Sequence, residues 1–167
     1  MPGSGRFTAC LLLNSILGVK PTSIPFNGTG PALTALISGQ VDYMCDQIVN
    51  VVQQVRAGHI KAYVVGAPER NPALPNVPIS KEAGLPEFQA QAWNALFAPK
   101  ETPKPVLDKL TDALDKALDD EQTRKRLLEL GSVLPGKPER GQQALAALVK
   151  REIERWTPII KAAGPTN

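Results

Sequence analysis

Two glycine-bounded turns carry the residues best suited to chemistry in this chain. The first is Gly3-Ser4-Gly5, just ahead of the apolar stretch Phe7–Leu17. The second is Asn27-Gly28-Thr29-Gly30, between Ile24-Pro25-Phe26 and a helix predicted from Pro31 to Ser38. Glycine lets a backbone turn with its N–H groups exposed, and the first turn of a helix has unpaired donors at the positive end of its dipole. Such a turn can hold a carboxylate or a phosphate. Pro31 has no N–H, so the expected donors of the second turn are Gly28, Thr29, Gly30 and Ala32. Neither turn is followed by the Gly-Lys-Ser/Thr of a phosphate loop, and Leu33 stands where a dinucleotide fingerprint needs its third glycine. Taken singly, each is an ordinary connection.

Asp46 follows the apolar run Val41–Cys45, at the carboxyl end of a predicted strand, where open α/β sheets place their ligands. The same residue suits the N-cap of a helix opening at Gln47 or Ile48, and the cap is the favoured role on sequence alone. His59 has no nucleophile or carboxylate at motif spacing and is expected at the surface. Cys10 and Cys45 read as small buried apolar residues, and Trp93 and Trp156 as core anchors. The chain has no paired carboxylates, no metal-ligand spacing and no triad, so neither an enzyme nor a cofactor is expected. A hydrolase built on Ser4 or Cys45 with His59 is a remote alternative.

The elements that must position these residues fall into two parts. The first 92 residues carry 6 basic and 5 acidic side chains, and the remaining 75 carry 13 and 11. In the first part, short β-like runs (23–26, 41–45, 60–66) alternate with helices, which indicates an α/β lobe. A proline-rich excursion from Ala67 to Phe88 is expected as a surface loop with one short helix near Ser80–Ala83. The second part is helical. Thr102-Pro103 opens one helix, a second runs from about Asp120 to Leu130 and stops at Gly131, and a third spans about Pro138 to Ala163. Its only strand-like runs are 93–98 and 133–134, a poor core for three helices, so part of its sheet is expected to be missing. A net charge of +3 with mixed signs excludes a nucleic-acid binder, and the short apolar runs exclude a membrane span. The opening lacks the pattern of a secretory leader.

An ordered set of motifs then carries a family resemblance. Along the chain come Gly3-Ser4-Gly5, the run Ile24–Leu33, Gly39–Asp46, Ala57-Gly58, Arg70–Pro78, Glu82–Pro86, Trp93 with Ala98-Pro99 and Thr102-Pro103, and Glu152-Ile153 with Trp156. Together they resemble the periplasmic solute-binding proteins of tripartite tricarboxylate transporters, the Bug proteins. The resemblance implies a type II flytrap fragment. Residues 1–92 would form a near-complete α/β lobe two, and residues 93–167 the returning part of an incomplete, mainly helical lobe one. It implies a small carboxylate ligand (a di- or tricarboxylate, or an amino acid) held by backbone amides, a periplasmic location and a membrane transporter as partner. Carried over residue by residue, the contacts fall on Ser4, Gly5, Arg6, Thr8, Asn27, Gly28, Thr29, Gly30 and Asp46. Arg6 replaces a small polar residue common in the family, Cys45 an aromatic and Ala95 a glycine.

Half a cleft would leave a bound carboxylate wet, so weak or absent binding is expected of this chain alone. Its apolar faces near Trp93, Leu110, Leu114, Trp156 and Ile160 are expected to drive self-association. The alternatives are a cytoplasmic sensing or interaction module and a truncated remnant that binds nothing.

Overall fold

Helices form where apolar residues recur at helical spacing between glycine or proline punctuation. The computed structural model describes residues 5–163, and among these it has six α-helices: α1 (Gly5–Leu17), α2 (Thr29–Ile37), α3 (Ile48–Arg56), α4 (Lys104–Asp119), α5 (Glu121–Glu129) and α6 (Gln142–Ala163). A 3₁₀ turn, Lys137–Glu139, precedes α6. Gly18 ends α1 in a left-handed conformation (φ 66°), and the Val19 N–H reaches back to the Asn14 carbonyl at 3.0 Å. Asp120 caps α5 by accepting from the Thr123 N–H at 2.9 Å. Three starts differ from expectation: α6 begins at Gln142, past the 3₁₀ turn, not near Pro138. Helix α2 begins two residues early, at Thr29, and α4 begins at Lys104 with Pro103, not Thr102, as its N-cap.

The expected α/β layering is the larger departure. Segments 23–26, 41–45, 60–66 and 93–98 form no named strand. Among the described residues the only ladder pairing is a parallel bridge between Val65 and Ile79. It is made by Val65 N–H to the Pro78 carbonyl (2.9 Å) and Ser80 N–H to the Val65 carbonyl (3.0 Å). A strand is stable only when a neighbouring backbone takes up its donors and acceptors, and of these segments only 60–66 shows such pairing among the described residues, confined to its last residues, where Gly66 also accepts from the Ala90 N–H.

The proline-rich excursion is exposed along much of its length, at 68–70, 72, 75–76, 81–84 and 86–87, but it also turns residues inward, which the expected surface loop did not include. It supplies most of the core: Val52 of α3 is fully buried against Ala73, Leu74 and Val77, with Ile48, Val55, Ala62 and Val65 around them. Ile79, Ser80 and Phe88 are buried beside it, and the expected helix at Ser80–Ala83 is a hydrogen-bonded turn. An irregular segment can be buried here because its buried N–H groups find acceptors: Ala73 donates to Asn71 Oδ1, Leu74 to the Asn71 carbonyl, Val77 to the Leu74 carbonyl, Ile79 to Glu82 Oε2 and Ser80 to the Val65 carbonyl. Buried Asn71 works in both directions. Its Nδ2 donates to the Gly131 carbonyl at 2.8 Å, and its Oδ1 accepts from the Ala73 N–H at 2.9 Å. The turn after α5 is thereby locked onto the core.

The C-terminal helices are sparsely covered. Helix α4 packs on α5, and α6 on α1. Along α6, Leu145, Leu148, Val149, Trp156 and Ile159 are half-buried, whereas Ile153 and Ile160 are exposed. Trp93 is exposed too, not a core anchor. A shallow trough of about 580 Å³ runs between Leu96–Ala98 and the Leu145, Val149 and Ile153 face of α6. Charge, not apolar packing, joins α4 to the segment before α6. Arg140 donates to Asp115 (2.9 Å) and Asp119 (2.8 Å), and Lys137 bonds the same two carboxylates.

Candidate functional site

The second glycine turn is built around an unusual backbone. Gly28 is the N-cap of α2 with φ 116° and ψ 179°, a region essentially closed to residues with a Cβ. Glycine has no side chain to cap the helix, and α2 has no side-chain cap. Its first turn therefore keeps the positive end of the dipole beside an exposed Asn27 and an exposed Gly30. Because α2 starts at Thr29, Ala32 falls one position inside the first turn, where helix geometry directs its N–H at the Gly28 carbonyl. Ala32 is thus removed from the expected donors; Gly28, Thr29 and Gly30 remain on the turn.

Asp46 is the node that fixes this turn. Its Oδ2 accepts from the Thr29 hydroxyl at 2.9 Å across 17 residues of chain. Its Oδ1 accepts from the Gln47 N–H and from Asn50 Nδ2, both at 2.7 Å. The N-cap of α3 is Gln47, so Asp46 lies one residue outside the expected cap position. It still places its charge at the positive end of α3. Asp46 and Thr29, singled out separately in the sequence, are brought together in one clasp.

Helix α1 is tied to the same place covalently. Cys10 and Cys45 form a disulfide with their Cα atoms 5.6 Å apart, and the Tyr43 hydroxyl donates to Asn14 Oδ1 at 2.7 Å. This corrects the reading of both cysteines as buried apolar residues. Nothing at a separation of 35 residues signals pairing, which arises because α1 lies along the segment before α3. Gly5 lies five residues before Cys10, roughly 7.5 Å along the α1 axis. Gly5 and Arg6 sit in the first turn of α1, with Thr8 half-buried behind them, and Ser4 lies outside the described residues. Asn14, Tyr43 and Asn50 are the site-building residues that sequence reasoning missed. Their roles depend on tertiary contacts alone.

His59 is exposed and its Nδ1 is bonded to Gln54 Oε1 at 2.7 Å. Cys45 is oxidised. Among the described residues no cluster of metal-ligating side chains occurs, and no helix is long and apolar enough to cross a membrane.

The family model described as the tripartite tricarboxylate transporter family receptor matches residues 3–164. The chain belongs to that family. Three solved structures are similar to it. MatC (Rpa3494) from Rhodopseudomonas palustris, with bound malate, is 53% identical with a TM-score of 0.90, over 95% of this chain and 54% of that one. The periplasmic binding protein BugD is 38% identical with a TM-score of 0.89, over 97% and 54%. Rpa4515 from R. palustris, with adipate, is 29% identical with a TM-score of 0.88, over 97% and 53%. The chain spans about half the length of the first curated relatives it matches. The family and these neighbours are substrate-binding proteins, not enzymes, and the family's binding proteins are periplasmic.

Proposed function

We propose that this chain is the part of a tripartite tricarboxylate transporter receptor that presents half of a small-carboxylate site. The observation that carries the reading is the α2 N-terminus, whose N-cap position is Gly28 at a φ of 116° that residues with a Cβ rarely adopt, and which is held by the Thr29–Asp46 bond. An uncapped first turn of this kind is electrostatically suited to a carboxylate. Gly28, Thr29 and Gly30 would supply main-chain N–H groups, with Asn27 at the rim. By the family resemblance, Ser4, Gly5, Arg6 and Thr8 would belong to the same site, and a guanidinium such as that of Arg6 suits a second carboxylate in bidentate fashion. Asp46 would orient the turn without touching the anion, since its oxygens already hold Thr29, Gln47 and Asn50. The malate and adipate held by the two Rhodopseudomonas neighbours support a dicarboxylate as the ligand class.

In this reading residues 1–92 form lobe two of a type II flytrap, and residues 93–167 are the returning part of lobe one. The Cys10–Cys45 disulfide supports an oxidising, periplasmic setting, and a membrane transporter would be the partner. Affinity in a flytrap comes from closing two lobes over the ligand, so this chain alone binds weakly. Amide spectra recorded during a malate titration test the site: Gly28 and Gly30 should shift first, with saturation only at high concentration. Micromolar affinity of the isolated monomer would overturn the half-cleft reading, and shifts confined to other residues would overturn the site.

The exposed faces of Trp93, Leu96, Phe97, Leu110, Leu114 and Ile160 support self-association. Light scattering across a concentration series should show oligomers, and a monomer throughout would remove that proposal.

A further inference from the structure

We propose that segment 91–98 pairs antiparallel with the same segment of a second copy of this chain, about a two-fold axis through Ala95. This gives the self-association proposed above a named surface, and it rests on that reading. From Gln91 to Pro99 the chain runs without helix, turn or bend, and among the described residues 91–98 make no backbone hydrogen bond. Both ends are nevertheless pinned. The Ala90 N–H donates to the Gly66 carbonyl at 2.9 Å, and the Arg155 guanidinium of α6 donates to the Gln89 carbonyl. At the far end the Thr102 N–H closes a turn on the Pro99 carbonyl at 3.0 Å. A row of unpaired donors and acceptors held between fixed ends needs little ordering before it takes up another strand. A helix would satisfy none of these backbone groups, so the partner they fit is an extended chain.

The residues of the segment select a second copy as that chain. Exposed edges are usually protected by charge, but no charged residue lies between Glu87 and Lys100. Set antiparallel with position 95 opposite itself, the segment brings Trp93 opposite Phe97 of the second copy, and Phe97 opposite its Trp93. Ala95 meets Ala95, and Ala92 meets Ala98. Any other antiparallel register loses both Trp–Phe pairs, so the aromatic residues fix the alignment. Leu96 and Phe97 are 66% and 71% exposed in the single chain. They also line the trough against Leu145, Val149 and Ile153 of α6, so the seam runs beside apolar surface on both copies.

Sedimentation velocity on the native chain, on Ala95→Lys and Ala95→Glu alone, and on their equimolar mixture tests the register. Position 95 meets itself on the axis, so like charges face each other in each variant and unlike charges in the mixture. The native chain should show a concentration-dependent dimer. Each variant should dimerise more weakly, and the mixture should associate about tenfold more tightly than either variant alone. Phe97→Lys should weaken the dimer while leaving the urea midpoint of the dilute monomer unchanged, which separates lost pairing from lost folding. Leu110→Lys with Leu114→Lys, on the exposed face of α4, should leave the dimer intact. A mixture no tighter than its components takes residue 95 off the axis and overturns the proposal. A native oligomer indifferent to charge at 95, or one lost on changing Leu110 and Leu114, overturns this surface while self-association stands. A native chain that stays monomeric throughout overturns both.

Discussion

Replacing Gly131 with alanine tests whether the helical C-terminal part is docked on the core as described. Gly131 has φ 82°, and a Cβ built on it would lie 2.5 Å from Cγ2 of Ile48 and 3.3 Å from both Ala73 Cβ and Asn71 Oδ1. Two penalties add. A left-handed conformation costs an alanine about 1–2 kcal/mol. Forcing a methyl into a packed contact costs about 1–3 kcal/mol more. Gly141 separates the two, because it has φ 91° but no atom within 4 Å of a built Cβ. Gly141→Ala should therefore lose only the conformational part. Urea unfolding followed by tryptophan fluorescence should place the Gly131→Ala midpoint about 0.5–1.5 M below that of Gly141→Ala, taking a slope near 2 kcal/mol/M. Ile48→Ala removes the colliding Cγ2, so it should cost less in the Gly131→Ala background than in the native chain. Equal midpoints for the two glycine variants, or strictly additive losses in the cycle, would refute this docking.

Three further outcomes follow from the same contacts. Gly28→Ala meets no steric obstacle but must adopt φ 116°, so it should cost about 1–3 kcal/mol in the same unfolding assay, with the amide shifts centred on Thr29 and Gly30. Reducing the Cys10–Cys45 disulfide releases a 35-residue loop constraint, worth about 4 kcal/mol in the chain-entropy account. Differential scanning with and without dithiothreitol should therefore show a melting point about 8–15 °C lower in the reduced chain, and superimposable curves would contradict it. Hydrogen bonds from Lys137 and then Arg140 hold the Asp119 carboxyl down at about 2, against an ordinary 3.8, and Arg140 with Lys137 lowers Asp115 in the same direction. Their contribution is complete above the ordinary value and is lost as pH falls through that window. Melting points measured from pH 5 to pH 2 should fall less steeply in Asp119→Asn than in the native chain.

The helices were legible because their signals are local. Gly18 and Gly131 mark helix ends, Asp120 marks a start, and the 3.6-residue stripe of α6 needs no partner to be recognised. The predicted strands at 41–45 and 60–66 have the right composition, but pairing is a property of two segments: 41–45 pairs with none among the described residues, and 60–66 pairs only at Val65. The excursion 67–88 was misread for a related reason. Prolines punctuate a chain locally, yet whether the residues between them are buried depends on α3 arriving above Leu74 and Val77. At the site, glycines and Asp46 were visible as residue types. The disulfide, Asn14 and Asn50 were not, because each acquires its role only from a neighbour distant in sequence.

The glycine at position 28 also bears on how the protein ages. An asparagine sheds its amide when the nitrogen of the next residue closes on its side chain. That ring forms most readily when the following residue is glycine, and Asn27 is both followed by Gly28 and exposed. Asn71, the buried link to Gly131, is followed by Pro72, whose nitrogen carries no hydrogen to give up. Stored samples will accumulate new negative charge first at position 27, on the rim of the turn proposed above to hold a carboxylate, while Asn71 behind it stays chemically intact. On the proposed carboxylate reading, a weaker malate response after storage, with an unchanged melting curve, is the signature to expect.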